Sequence, residues 1–398
     1  MDEKIGRIAR AYADECYEEE LELLRTLAQI PAPSGHEERR AEFIRDWLLA
    51  QGAPVGAVRV DDAKNVILSL PGPADDDGIA VFAAHTDVVF PDTEPLPLAE
   101  STTRLLAPGV GDDTANLVGL LLAARYLLRE RVPLDRRLLV VANSCEEGLG
   151  NLAGTRELFR HYDGQVREFT SFDLYLGMHV VSAVGSHRWR VKCHTEGGHS
   201  WENFGRDNAI EALCSFIEDL YALELPTRAK TTINVGRFVG GTTVNSIAED
   251  ASVLVEYRSA SEECLEEMYG KFVVLVEEHL KAGTRIDVQL IGRRPASGEH
   301  VPEGQAALIA RTDEVLRELG GVKKIHHQES STDANIPLSL GIPAHTVGTV
   351  EGDLLHTREE WIEKDSLRRG LAVILALMLD HATQPRDEQE TPHVEKNG

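Results

Sequence analysis

The sequence predicts an α/β protein with a mixed sheet covered by helices on both faces, interrupted by an inserted α+β domain of ferredoxin-like order. Three features point this way. Short runs rich in Val, Ile and Leu alternate with segments of helical periodicity up to about Ser186, the order changes to β-α-β-β-α-β over residues 187–294, and the alternation resumes after Pro295. Alternating strands and helices make a sheet buried on both faces, and the middle order is that of a split βαβ sandwich. At 398 residues the chain also exceeds the ~250–300 at which a single core stops growing. The expected boundaries are 1–186 with 295–398 for a discontinuous first domain, and 187–294 for the insertion.

Ile5, Ile8, Tyr12, Leu21, Leu24 and Leu27 recur at helical spacing and predict a helix from Glu3 to about Gln29. "PAPSGHEE" follows, with Ser34 and Glu37 in capping-box positions before a second helix to about Gln51. "NVILSL", "GIAVFAAHTD", "RRLLVVANS" and "FDLYLGMHV" read as strands, with "NLVGLLLAARYLL" as the helix between the second and third. In the insertion, strands "RWRVKCH", "TTINVGRF", "ASVLVEYRS" and "RIDVQLIG" are joined with helices "NAIEALCSFIEDLYAL" and "CLEEMYGKFVVLVEEHLKA". The α/β pattern then closes with "GQAALIARTDEVLREL", "IPAHTVG" and a helix from about Ser366 to His381. Residues 384–398 are polar and proline-containing, and are expected to be disordered.

Composition narrows the function. A formal charge of -25 argues against a nucleic-acid partner, because tracking phosphates requires clustered Lys and Arg. The five cysteines are scattered with no C-x-x-C pair, which argues against a disulfide framework or a thiolate zinc site and fits a reducing cytoplasm. The amino-terminal segment is charged throughout, and no uninterrupted apolar stretch reaches ~18 residues, so a soluble protein with no membrane partner is expected. Neither a G-x-S-x-G elbow nor a G-x-x-x-x-G-K-[ST] loop occurs, which removes the serine-hydrolase and phosphate-loop readings.

Metal-capable residues recur where strands should end. His85 and Asp87 stand two apart, on one face, after the apolar run from Ile79; Asp112 and Asp113, Glu146 and Glu147, and His179 follow other strands or their loops. Ligands gather beyond the carboxyl ends of strands in open α/β sheets. Together with His356 after "IPAHTVG", these ends point to a dinuclear metal site. Asp112 and Asp113 also suit helix capping, and Asp333 suits either support of the site or an Asx turn. His326 and His327 lack ligand spacing, His194 reads as packed or solvated, and Cys145 as a small packing residue.

The motifs "HTD" at 85–87, "GDDTAN" at 111–116, "CEEG" at 145–148, "GGHS" at 197–200 and "HTREEW" at 356–361, in this order, resemble the dinuclear-zinc exopeptidases and deacylases that include peptidase T, carboxypeptidase G and the aminoacylases. The resemblance spans essentially the whole chain. It implies a phosphorylase/hydrolase-like catalytic domain with an inserted lid or dimerisation domain, and two divalent ions, zinc first, with cobalt or manganese as alternatives. His85, Asp112 and His179 would hold one ion, and Asp112, Glu147 and His356 the other. Asp87 would orient His85, and a cis peptide would follow Asp112. Much of the family carries Asp or Glu where His179 stands. Asp173, six residues earlier and so ~20 Å away along an extended strand, is assigned to the opposite end.

The resemblance also implies catalytic roles. Glu146 would be the general base for a bridging metal-bound water. His199 would reach the site of a partner subunit in a homodimer formed through the inserted domain, and polarise the scissile carbonyl. Asn245 and Arg258 would hold a substrate carboxylate. The expected activity is that of a dinuclear-zinc metallopeptidase cleaving small peptides, with an N-acyl-amino-acid deacylase as the alternative. A non-catalytic, metal-stabilised binding protein is the rival from another class, and Glu146, which binds no metal in this scheme, argues against it.

Overall fold

The helical spacing at the start of the chain folds as α1 (Glu3–Gln29), followed by α2 (Glu38–Ala50). The computed structural model describes residues 2–73, 78–281, 285–298 and 301–383, so the tail expected to be disordered, 384–398, lies outside the described residues. Next come β1 (Val58–Val60), β2 (Val66–Leu70), β3 (Ile79–His85), β4 (Ala99–Glu100), β5 (Arg104–Leu106) and α3 (Ala115–Glu130). β6 (Arg137–Asn143), α4 (Ala153–His161), β7 (Val166–Phe172) and β8 (Met178–Ala183) complete the first run. The middle of the chain forms β9 (Gly185–His194), β10 (Gly198–His199), α5 (Ala209–Ala222), β11 (Thr231–Gly240), β12 (Ser246–Ile247), β13 (Asp250–Ser259), α6 (Glu262–Lys281) and β14 (Ile286–Arg294). α7 (Gln305–Glu318), β15 (His326–Ser330), α8 (Asn335–Ser339), β16 (Ala344–Val347), β17 (Gly352–Asp353), β18 (Trp361–Glu363) and α9 (Ser366–Leu379) follow.

Among the described residues, eight strands form a mixed sheet in the order β1-β2-β6-β3-β7-β16-β8-β15. Its continuous apolar strands are explained by burial on both faces. Phe82 and Ala84 of β3 pack in one layer with residues of α1, α3 and α9, while Val81 and Ala83 pack in the other with Leu158 of α4 and Ile336 of α8. No helix among the described residues is long and apolar enough to cross a membrane.

The second sheet has the order β11-β13-β9-β14 with every neighbouring pair antiparallel, the arrangement expected of ferredoxin-like order. Along β13, Val253, Val255 and Tyr257 face a core with Leu213 and Phe216 of α5 and Phe272 of α6. The alternate residues Leu254, Glu256 and Arg258 face away from that core and line a cavity against the edge of the large sheet.

Three local expectations are corrected. "FDLYLGMHV" is not one strand: β7 ends at Phe172, a turn with Leu174 at φ 74° and Gly177 at φ 95° follows, and the chain returns as β8. β7 runs parallel to β16 and β8 antiparallel to it, so β7 and β8 run in opposite directions. Ser34 and Glu37 form no capping box. Glu37 accepts from the N–H groups of Gly35 (2.7 Å) and Cys145 (3.1 Å), and the Ser34 hydroxyl donates to Asp87 (2.6 Å). The first strand of the insertion begins earlier than "RWRVKCH", at Gly185.

Glu20 of α1 is buried, and its Oε2 has no hydrogen-bond partner among the described residues. Burial pushes its carboxyl up to about 8, against the opposing charge of Arg368. An unfolded glutamate titrates near ~4.3, so the folded state holds the proton more tightly, and the cost of ionising Glu20 grows as pH rises through that interval. Glu20→Gln should therefore raise the melting temperature by several degrees at pH 8.5, a gain that shrinks toward zero as pH falls to 5. Calorimetry showing the same difference at both pH values would contradict this.

Candidate metal centre

β3 runs parallel to both β6 and β7, so the carboxyl ends of all three lie on one edge of the large sheet. His85 is the last residue of β3, Glu146 and Glu147 follow β6, and Asp173 directly follows β7. Asp112 reaches the same edge from the turn before α3, and His356 from the loop between β17 and β18. Besides His85 with Glu146 and Glu147, two triads of possible ligand atoms result, His85 with Asp112 and Asp173, and Asp112 with Glu147 and His356, each with its atoms within 4.8 Å of one another.

Asp112 belongs to both. Its Oδ1 is 2.8 Å from His85 Nε2 and its Oδ2 is 3.0 Å from His356 Nε2. His356 Nε2 is also 3.1 Å from Glu147 Oε1. Asp173 Oδ1 stands 3.9 Å from His85 Nε2 and, though buried, has no hydrogen-bond partner among the described residues. A carboxylate oxygen out of water without a donor is costly, and a cation shared with His85 and Asp112 would satisfy it. The donor set of imidazole nitrogens and carboxylate oxygens fits divalent zinc, cobalt or manganese.

The electrostatics show the same need. Burial first, then the negative charge of Asp112, push the Glu147 carboxyl up to about 7. Burial, Asp112 and Asp113 raise Asp173 well above the usual carboxylate range. His356 is pushed up to about 10 by its hydrogen bonds to Asp112 and Glu147. Against burial, hydrogen bonds from His356 and His85 hold Asp112 below the usual range. These are the marks of acidic groups crowded together in a site built for positive charge.

A surrounding shell holds the cluster in place. Asp87 accepts from the N–H of Glu146 through Oδ1 (2.9 Å) and from the N–H of Glu147 through Oδ2 (2.9 Å). Its main-chain oxygen is 3.0 Å from His85 Nδ1, its carboxylate 3.4 Å, so one residue orients parts of both triads. Glu360 accepts from three backbone N–H groups of the turn that carries Asp112: Gly109 (2.8 Å), Gly111 (3.0 Å) and Asp112 (2.9 Å). The buried guanidinium of Arg40 donates to the carbonyls of Ile30 and Thr86, both at 2.8 Å. Burial lowers its pKa to about 10, opposed by the nearby charges of Asp87 and Asp113.

The sequence-derived candidates divide as follows. His85, Asp112, Glu147 and His356 come together, with Asp87 beneath them. Glu146 lies beside them, with a carboxylate oxygen within 4.8 Å of ligand atoms of His85 and Glu147, and pairs with Arg294 Nη1 at 3.1 Å. His179 does not join the cluster, which corrects its assignment as a ligand. Through β16, His179 is in register with Val347, which is itself in register with Phe172, so His179 lies on the face of the sheet where those two residues pack with α1, α3 and α9; its Nδ1 meets Asp313 at 2.9 Å and its Nε2 meets His345 at 2.7 Å. Asp173 occupies the strand end instead. The ~20 Å separation assumed for it presupposed an extended chain, whereas residues 173–177 turn back.

Arg258 lines the cavity, held by Glu256 at 2.9 and 3.2 Å. His199 and Asn245 do not line it; they lie together where β10 pairs with β12, and both are exposed. Asp113 caps no helix but accepts the N–H of His85 at 2.7 Å, and the Asp112–Asp113 peptide is cis. Asp333 supports the end of β6, accepting from Asn143 Nδ2 at 2.5 Å and from the Thr155 hydroxyl. Asp173, Arg294 and Glu360 were not selected from the sequence. Glu360 lies within the quoted "HTREEW" motif, and that position was the available signal.

The cavity above the cluster has a volume of about 570 Å³ and is roofed by the open face of the second sheet through Arg188, Asn234, Leu254, Glu256 and Arg258. A cleft of this size, with a cationic roof over a polar floor, has the dimensions of a small-molecule site. Residues 81–380 match the family described as Peptidase family M20/M25/M40, and the chain belongs to that family. It is a hydrolase of the peptidase and amidohydrolase class.

Among its relatives, an uncharacterised protein of Bacillus subtilis, YqjE, is 26% identical over 385 residues, covering 91% of this chain and 98% of the relative. A succinyl-diaminopimelate desuccinylase of Corynebacterium glutamicum is 25% identical over 355 residues, covering 85% and 90%. The crystal structure of a tripeptidase from Staphylococcus aureus superposes with a TM-score of 0.72 at 20% identity, covering 92% of this chain and 99% of that one.

Glu360→Ala would leave three backbone donors without their acceptor. At roughly 1–3 kcal/mol for each unsatisfied group, partly relieved by water, the unfolding free energy should fall by about 2–5 kcal/mol. Denaturant titration showing a loss under about 0.5 kcal/mol would contradict the role given to Glu360.

Proposed function

We propose that this chain hydrolyses the amide bond of small peptides or N-acyl amino acids, with His85, Asp112 and Asp173 holding one divalent ion and Asp112, Glu147 and His356 a second, zinc being the first candidate. The observation that supports this best is the position of Asp112, whose two oxygens face His85 and His356. Two ions, when bound there, would supply Lewis acidity to the scissile carbonyl and make the attacking water more acidic. The remaining chemistry belongs to the chain. Glu146 takes the proton of the attacking water and returns it to the leaving amine. Arg294 orients Glu146 by grasping its carboxylate at 3.1 Å and its main-chain carbonyl.

Arg188 and Arg258 both pair with Glu256, two cations against one anion, and this surplus suits a substrate carboxylate. The lid role falls to residues 187–294. His199 and Asn245 stand beside Trp201, Phe204 and Val244, which are 86, 90 and 99% exposed. A large exposed apolar group of this kind marks a protein contact, which supports a homodimer in which His199 serves the partner's site. The five free cysteines are compatible with action in the cytoplasm.

Glu146→Gln should retain both ions and a near-parental KM while kcat falls by about 10²–10⁴. Turnover close to the parental rate would remove Glu146 from its role. Asp173→Asn should lose one of the two ions, as counted by metal analysis. The deacylase reading is favoured by the similarity to the desuccinylase. A panel of dipeptides, tripeptides and N-acyl amino acids separates the two: the peptidase reading requires kcat/KM to be highest on a peptide with a free amino terminus, and a preference for acylated substrates overturns it in favour of the deacylase.

A further inference from the structure

The displaced His179 is part of a second arrangement. We propose that His179, Asp313 and His327 form an additional divalent-cation site at the far edge of the large sheet, apart from the centre at the strand ends. β15 is the edge strand and pairs in parallel with β8, placing His327 directly opposite His179. Residues opposed in this way share a face of the sheet, and α7 supplies Asp313 to that face. Asp313 Oδ1 is 2.9 Å from His179 Nδ1 and 3.1 Å from His327 Nε2, and the three ligand atoms lie within 4.8 Å of one another. A tetrahedral ion with bonds of about 2.0–2.1 Å spaces its ligands about 3.3 Å apart. The two separations to Asp313 Oδ1 lie within a few tenths of an ångström of that spacing.

The surroundings favour coordination. His179 Nε2 is 2.7 Å from His345 Nδ1, and His345 Nε2 is 2.8 Å from the Thr170 hydroxyl, all three residues being buried. With protons on the two Nε2 atoms, His179 donates to His345 and His345 to Thr170, leaving the His179 Nδ1 lone pair directed at Asp313 and His327. This is the outer hydrogen bonding that fixes a metal-binding imidazole. Arg317 approaches Asp313 through Oδ2, at 3.2 Å, an oxygen that also lies 3.1 Å from His327 Nε2, whereas Oδ1 is the oxygen within reach of both histidines. The His327 side chain is 46% exposed, so solvent can complete the coordination. Two imidazoles and one carboxylate select zinc, nickel or cobalt over magnesium or calcium. An ion here would staple the edge strand β15 to β8 and to α7.

The test uses the whole chain, stripped with a chelator, reloaded with Zn²⁺, passed through gel filtration and weighed by native mass spectrometry. The parent should carry one more ion per chain than His327→Ala, with equal kcat for the two at saturating Zn²⁺. Zn²⁺ should also raise the melting temperature of the parent more than that of the variant. Equal ion counts in parent and variant overturn the proposal. The comparison is independent of the centre at the strand ends, which both proteins share.

Discussion

Everything at this site follows from carboxylates held side by side away from water. Three parallel strands, β3, β6 and β7, end on one edge, and each delivers an ionisable group there. Asp112, Glu147 and Asp173 repel one another and have lost hydration, so the ordinary result would be neutralisation by protons. The raised carboxyls of Glu147 and Asp173 show that tendency. Cations answer the same demand while keeping the oxygens available as ligands. The fold accepts a local cost in stability at the place where chemistry is to occur.

The surrounding residues keep that crowded arrangement from relaxing. Asp87 joins the end of β3 to the peptide groups after β6, Glu360 clamps the turn bearing Asp112, and Arg40 places a buried positive charge near Asp87 and Asp113. Arg294, the last residue of β14, reaches from the second sheet to Glu146, so the roof and the reacting edge are physically linked. Movement of one sheet relative to the other would therefore be felt at the proposed general base.

Much of this was legible in the sequence because it is local. His85 and Asp87 stand two apart at the end of an apolar strand, and Glu146 and Glu147 follow another, so period-two spacing and strand ends were enough. The four-stranded sheet was legible from its order of elements. Asp173 was misplaced because a turn at 173–177 was read as extended chain, and one wrong turn moves every residue after it. Glu360 and Arg294 act on partners 248 and 148 residues away, and no periodicity reports a pairing at that range. Ser34 and Glu37 illustrate the reverse case: the capping-box spacing was present, but the Ser34 hydroxyl donates to Asp87 and Glu37 accepts from the N–H groups of Gly35 and Cys145 instead.

The account stands or falls on where cations bind. Anomalous diffraction from crystals of the whole chain grown with Zn²⁺ reports this directly. At the strand edge, two peaks about 3.5–4 Å apart are predicted with Asp112 between them, one bounded by His85 and Asp173 and the other by Glu147 and His356. Strong anomalous peaks elsewhere with none at this strand edge would contradict it.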